Sequence, residues 1–227
     1  MAKFGTISLE EKRRLEQPDK FMVMATKAMQ FLSANKKQVI IAVCIVAAAA
    51  ILVAGLHHLS VKKEEKAFGL LSEAMAKADS ASSTAPGTAK TAFGDVYEKY
   101  PQTLAGKFAG LSYARQCYES KEYKTAIEVY SKVLKSVKTV PILRNIALNG
   151  LGYANEAAGN YNEAAGCFEK IIKNDDETWL GATTLFNLGV VYEKMGEKEK
   201  SRKMFERIVS DYPDSLYANV AKGKIGS

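Results

Sequence analysis

Residues 39–56 read VIIAVCIVAAAAILVAGL, eighteen consecutive positions without a charge or a strongly polar side chain. A helix needs about 20 apolar residues to cross the hydrocarbon core of a bilayer. Carried on to Leu59, the run makes a helix of about 31 Å at about 1.5 Å per residue. It divides the chain into a leader, residues 1–38, a membrane-spanning helix, residues 39–59, and a tail, residues 60–227. The tail is too polar to enter a bilayer and long enough to bury a core of its own.

A cleaved secretory signal fits this run poorly. Such signals have a short basic start and an apolar core of about 7–15 residues. Here the run is longer, a 38-residue leader precedes it, and only Val53-Ala54-Gly55 resembles a cleavage site. The helix is therefore expected to stay as an anchor. Lys20, Lys27, Lys36 and Lys37 lie before it, backed by Lys12, Arg13 and Arg14, whereas Lys62, Lys63 and Lys66 beyond it are interleaved with Glu64 and Glu65. The positive-inside bias then places the leader in the cytoplasm and the tail outside. Within the span Ala47, Ala50 and Ala54 share one face, and small residues let a second membrane helix approach closely. The same spacing also fits an alanine-rich span with no partner. His57 and His58 are adjacent, so they point to different sides and form no metal pair.

In the leader, Ser8-Leu9-Glu10-Glu11 fits a capping box and Pro18 ends that stretch. A second helix can begin at Asp19, with Phe21, Met24, Ala25, Ala28, Phe31 and Leu32 on one face and Lys20 and Lys27 off it. A basic amphipathic helix just before a span lies in the membrane interface; docking onto a cytoplasmic protein is the alternative.

The tail is rich in Ala, Lys, Glu and Leu and has no long alternation of β-branched residues, so it is expected to be all-α. Of the net charge of +7, the leader carries eight basic and four acidic residues, leaving +3 for the tail. That is an ordinary solvated surface and gives no reason to expect nucleic acid. Cys44, Cys117 and Cys167 lack the spacing of a zinc or redox site.

The tail repeats itself. Leu151-Gly152, Gly159, Tyr161, Ala164 and Phe168 are echoed by Leu188-Gly189, Gly196, Ser201, Phe205 and Ile208, 37 residues on. An earlier copy is Ala114, Tyr123, Ala126, Tyr130 and Val133, 38 residues before. Phe93, Val96 and Tyr100-Pro101 match Phe205, Ile208 and Tyr212-Pro213. These match the end of a second helix, stopped by proline. The first unit would then pair Glu64–Ala78 with about Thr88–Lys99, joined by a loop over Asp79–Gly87. Small residues at 152 and 189 mark helix crossings, and Gly110 falls outside that register. The last helix, about Asp214–Ile225, should cap the array through Leu216, Val220 and Ile225, with Lys222 and Lys224 in water.

These spacings resemble tetratricopeptide repeats, whose unit has 34 residues. The fold class implied is all-α, a single N-terminal transmembrane helix followed by a tetratricopeptide-repeat solenoid. In that family the first helix of each unit lines a concave face. By register the face would hold Phe108, Leu111, Arg115 and Tyr118, then Ile146, Asn149, Tyr153 and Glu156, then Thr183, Phe186, Val190 and Glu193. Such a mixed apolar and aromatic groove suits a peptide segment or a partner helix. Some of these aromatics can instead pack between helices. Carboxylate capture by a basic cluster is disfavoured, because only Arg115 and Asn149 remain for it.

The tail has no histidine, which removes imidazole acid–base chemistry from it. No Gly-rich phosphate loop is present. Asp175-Asp176-Glu177 lacks the spacing of a calcium loop and reads as a helix cap. An enzyme is not expected, nor a cofactor, a metal or a small-molecule substrate.

An anchor, a basic leader and an external repeat domain together resemble the YfgM family. The resemblance is carried by Phe31-Leu32-Ser33-Ala34-Asn35-Lys36-Lys37, by the charged start Val61–Ala67 and by Tyr212–Ala218 (Tyr-Pro-Asp-Ser-Leu-Tyr-Ala). It implies a bacterial inner-membrane protein with a periplasmic repeat domain, ancillary to the SecYEG translocon and working with the periplasmic chaperone PpiD. The longer leader departs from that family. The function expected is a protein–protein interaction scaffold of the cell envelope. The alternatives are a holdase for exported chains and a scaffold for another envelope assembly.

Overall fold

The computed structural model describes residues 20–80, 87–174 and 180–226. Among them are ten α-helices and no strand: α1 Lys20–Ala34, α2 Lys36–Ser80, α3 Thr88–Lys99, α4 Leu104–Glu119, α5 Tyr123–Ser136, α6 Pro141–Ala157, α7 Tyr161–Asn174, α8 Gly181–Lys194, α9 Lys198–Asp211 and α10 Leu216–Ile225. Internal contacts divide the chain into two units, with the boundary after Leu59.

The first unit holds α1 and the start of α2. None of its described side chains is buried. Asn35 separates the two helices, its amide still bonded to the Phe31 carbonyl at 3.0 Å. Among the described residues α2 is the one helix long and apolar enough to cross a membrane. The expected helix over Ser8–Glu11 lies outside the described residues, as do 81–86 and 175–179.

The second unit is a stack of helix pairs. The expected first helix, Glu64–Ala78, is not separate but forms the end of the 45-residue α2. Ala67, Leu71 and Ala74 recur there at helical spacing and are buried with Ala89, Phe93 and Val96 of α3 and Ala105 and Ala109 of α4. The further pairs are α4 with α5, α6 with α7, and α8 with α9. Alanine and glycine at the crossings let the axes approach, as the spacing predicts. A Cβ added at Gly152 would lie 2.6 Å from the Phe168 ring, and one at Gly189 would lie 2.8 Å from the Phe205 ring. Gly110, expected to matter less, is also tight: its Cβ would be 2.7 Å from Tyr97 and 2.8 Å from Val133.

One turn is built three times over. Lys121, Gly159 and Gly196 stand at equivalent positions after the first helices, with φ of 63°, 82° and 77°. In each case the next amide reaches back five residues: Glu122 to Cys117 at 2.8 Å, Asn160 to Asn155 at 2.9 Å, and Glu197 to Tyr192 at 2.9 Å. This is the left-handed helix stop that favours glycine. Lys121 therefore holds a strained backbone that the other two copies avoid.

The capping helix is present, but with a different buried face. Leu216 is 92% exposed and Val220 50%, whereas Ala218 and Ala221 are buried and Tyr217 and Ile225 pack on the last core cluster. Helix phase explains the correction: Ala218, Ala221 and Ile225 share one face at i, i+3 and i+7, which Leu216 does not. Lys224 does not simply face water, since it pairs with Glu193 at 2.8 Å.

Candidate interaction groove

Four of the eight expected partner-binding residues meet in one place. Arg115 and Tyr118 of α4 and Asn149 and Tyr153 of α6 line a groove of about 360 Å³, together with Glu119, Tyr130, Ile146 and Gly150. The other four lie apart from it. Phe108 is partly exposed nearer the start of α4, and Leu111 is 6% exposed and belongs to the core, so it offers no surface. Phe186 lies 5.0 Å from the Tyr217 ring of α10 and 5.8 Å from Phe205. Val190 packs against the same cluster. The capping helix thus covers the inner face of the last pair, and the open groove is at the junction of α4–α5 with α6–α7. Ala47, Ala50 and Ala54 are exposed on α2.

The groove is made rigid by aromatic contacts. The Tyr130 ring rests on Gly150, where any Cβ would collide with the phenol. Tyr118 packs against Tyr123 with centroids 5.7 Å apart, and Tyr153 meets the edge of Phe168 at 5.8 Å. The Tyr153 hydroxyl accepts a hydrogen bond from Asn187 Nδ2 at 2.6 Å. Arg115 Nε donates to Glu119 Oε1 at 2.8 Å, so the one guanidinium of the groove is already balanced by a carboxylate. Nearby, Lys194 pairs with Glu156 at 2.8 Å, and that hydrogen bond raises the lysine's affinity for its proton.

Burial pushes the Tyr130 phenol up to about 12 and raises those of Tyr118 and Tyr153. All three stay neutral near pH 7, as hydrogen-bonding apolar rings rather than charges. Asn149 Oδ1 is buried and has no donor among the described residues. A buried acceptor without a donor costs about 1–3 kcal/mol.

Three features escaped sequence reasoning. Tyr130 reads by register as a core residue, the counterpart of Phe168 and Phe205, yet it also lines the groove. Gly150 is two positions from the repeat glycine, and no repeat pattern marks it. Glu64, seen only as one of a run of charges, accepts from the amides of Leu104 and Ala105 at 2.8 Å each. It anchors the N-terminus of α4, whose cap Thr103 accepts from Gly106 at 2.9 Å. No local signal links residues 40 positions apart.

The model of the tetratricopeptide repeat-like domain family matches residues 29–207. The chain belongs to that family. Among solved structures, this repeat protein is similar to a putative kinesin light chain with nearly identical tetratricopeptide-like repeats from Podosopora anserina, at 15% identity over 69% of this chain and 82% of that one, with a TM-score of 0.58. It is similar also to the MamA protein, at 21% identity over 73% and 80% of the two chains, TM-score 0.56. A tetratricopeptide repeat protein from Parabacteroides merdae matches at 12% identity over 72% of this chain and 59% of its own, TM-score 0.59. At these identities the likeness is one of fold. No curated protein sequence matches the chain.

Proposed function

We propose that this protein is a membrane-anchored scaffold that holds a protein partner through the groove between α4–α5 and α6–α7. The observation that carries the reading is the convergence of Arg115, Tyr118, Asn149 and Tyr153 on one cleft. The tetratricopeptide-like fold supports protein partners, since its helix pairs present a curved face to peptides. The family match begins at residue 29 and so takes in the apolar run of α2. The lysine distribution around that run favours a cytoplasmic leader and a repeat domain outside.

In this reading the chain serves the bacterial inner membrane with its repeat domain in the periplasm. The resemblance to YfgM proteins points to the Sec translocon and a periplasmic chaperone as the assembly it joins. The test is crosslinking and affinity capture from native membranes. Tyr118→Ala combined with Asn149→Leu should release the captured partners while circular dichroism stays unchanged. The outer-helix control, Lys132→Ala with Lys170→Ala, should keep them. A folded groove variant that retains its partners would remove the groove from the function. Capture of unrelated unfolded chains, with aggregation suppressed by the protein alone, would replace the scaffold with a holdase.

A further inference from the structure

Helix α1 has an apolar side and a mainly polar one. At 100° per residue, Phe21, Met22, Met24, Ala25, Ala28, Met29, Phe31 and Leu32 fall on one side, and Thr26, Lys27, Gln30 and Ser33 on the other, with Val23 and Ala34 among them. The polar half satisfies itself: Thr26 Oγ1 donates to the Met22 carbonyl, and Ser33 Oγ donates to that of Gln30 at 2.9 Å. The apolar half does not. Met22, Met24, Met29, Phe31 and Leu32 are 48–74% exposed. Leaving five such side chains in water forfeits the gain from burying them.

Charge identifies what covers them. From residue 20 to residue 59 the sequence has four lysines and no Asp or Glu. Two of the lysines, Lys36 and Lys37, stand at the joint between α1 and the apolar stretch of α2, one residue past Asn35. A forty-residue segment with one sign only, continuous with a helix apolar enough to enter a bilayer, complements an anionic lipid surface. Each lysine near such a surface is attracted to it.

We infer that α1 is an in-plane membrane helix, its Met/Phe/Leu face sunk among the headgroups of anionic lipids. This rests on the anchoring reading of α2. The helix would fix the leader against the bilayer next to the anchor rather than leave it free in solution.

The test uses the full chain in vesicles of phosphatidylcholine with phosphatidylglycerol, with tryptophan probes read against the wild-type background of Trp179. Leu32→Trp reports the centre of the apolar face, Gln30→Trp the opposite face, and Val46→Trp the anchor. The expected result is a blue-shifted Leu32→Trp quenched by shallow spin-labelled lipids and shielded from iodide, with Gln30→Trp open to iodide. In pure phosphatidylcholine the Leu32→Trp quenching should weaken. Val46→Trp quenched by deep lipid labels while Leu32→Trp is open to iodide overturns the inference and leaves the anchor standing. Leu32→Trp shielded from both iodide and lipid labels means that protein covers the face, which also overturns it. Equal quenching in neutral vesicles overturns the role of anionic lipid. If Val46→Trp itself escapes every lipid label, the anchor and the in-plane helix fall together.

Discussion

Gly152→Ala adds one methyl group where the structure has no room for it. The new Cβ would stand 2.6 Å from Cε1 and Cζ of Phe168 and 3.1 Å from Cδ1. Carbon atoms pack best about 3.5–4.0 Å apart, so the ring and α6 must separate by roughly 1 Å. Phe168 cannot swing into water, because it is wholly buried and braced by Tyr153. Overpacking of this kind costs about 1–3 kcal/mol. Alanine returns about 0.5–1 kcal/mol through its better helix propensity. The net expectation is a loss of about 0–2.5 kcal/mol, or up to roughly 10 °C in melting temperature at about 2–4 °C per kcal/mol for a domain of this size. Gly166→Ala is the built-in comparison. It lies inside α7 with nothing within 4 Å of its added Cβ, so it should gain about 0.5–1 kcal/mol. Thermal melts at 222 nm of the wild type and both variants decide the matter. A Gly152→Ala variant that melts above the wild type, as Gly166→Ala should, would refute the crossing geometry, and with it the repeat register.

Replacing Glu64 with Ala should cost about 1–3 kcal/mol through two lost charge-assisted bonds, and hydrogen exchange at the Leu104 and Ala105 amides should speed up more than at α8. Lys121→Gly should raise the melting temperature, since it relieves a left-handed residue worth about 1–2 kcal/mol of strain, offset in part by the entropy of glycine. Tyr130 ties stability to alkaline pH. Its folded-state phenol titrates near 12 against an ordinary 10, so the folded state keeps the proton longer and stability falls as pH climbs from 10 to 12, by about 2–3 kcal/mol in all. Urea midpoints at pH 8 and pH 11 should show about half of that drop, and Tyr130→Phe should lessen it, with Tyr192, also pushed up to about 12, contributing in the same direction.

The helix pairs were legible because each leaves a mark at a fixed distance. Gly152 with Phe168 and Gly189 with Phe205 are contacts within one pair, repeated in register, and the turn glycines at 159 and 196 follow from backbone conformation alone. The groove was half legible. Register places Arg115, Tyr118, Asn149 and Tyr153 on first-helix faces, but it assigns the same standing to Leu111 and Phe186. Leu111 is turned into the core among α4–α7, whereas Phe186 is covered by α10, whose inward face is Ala218, Ala221 and Ile225 rather than the expected Leu216, Val220 and Ile225. Its buried residues are small, Ala218 and Ala221, while its largest aliphatic side chain, Leu216, points outward. Hydrophobic size misleads where two helices pack closely enough to need alanine.

In α6–α7 and α8–α9 the ring of the second helix presses on a glycine of its own first helix. At the equivalent place α4 has Ala114, and the ring of Tyr130 instead meets Gly150 in the neighbouring pair. One methyl group separates the two arrangements. A strictly periodic array would offer every partner the same foothold along its length. Under the proposed function, the foothold is made unique by a misprint in the pattern, so the partner's address along the solenoid is written in its irregularity.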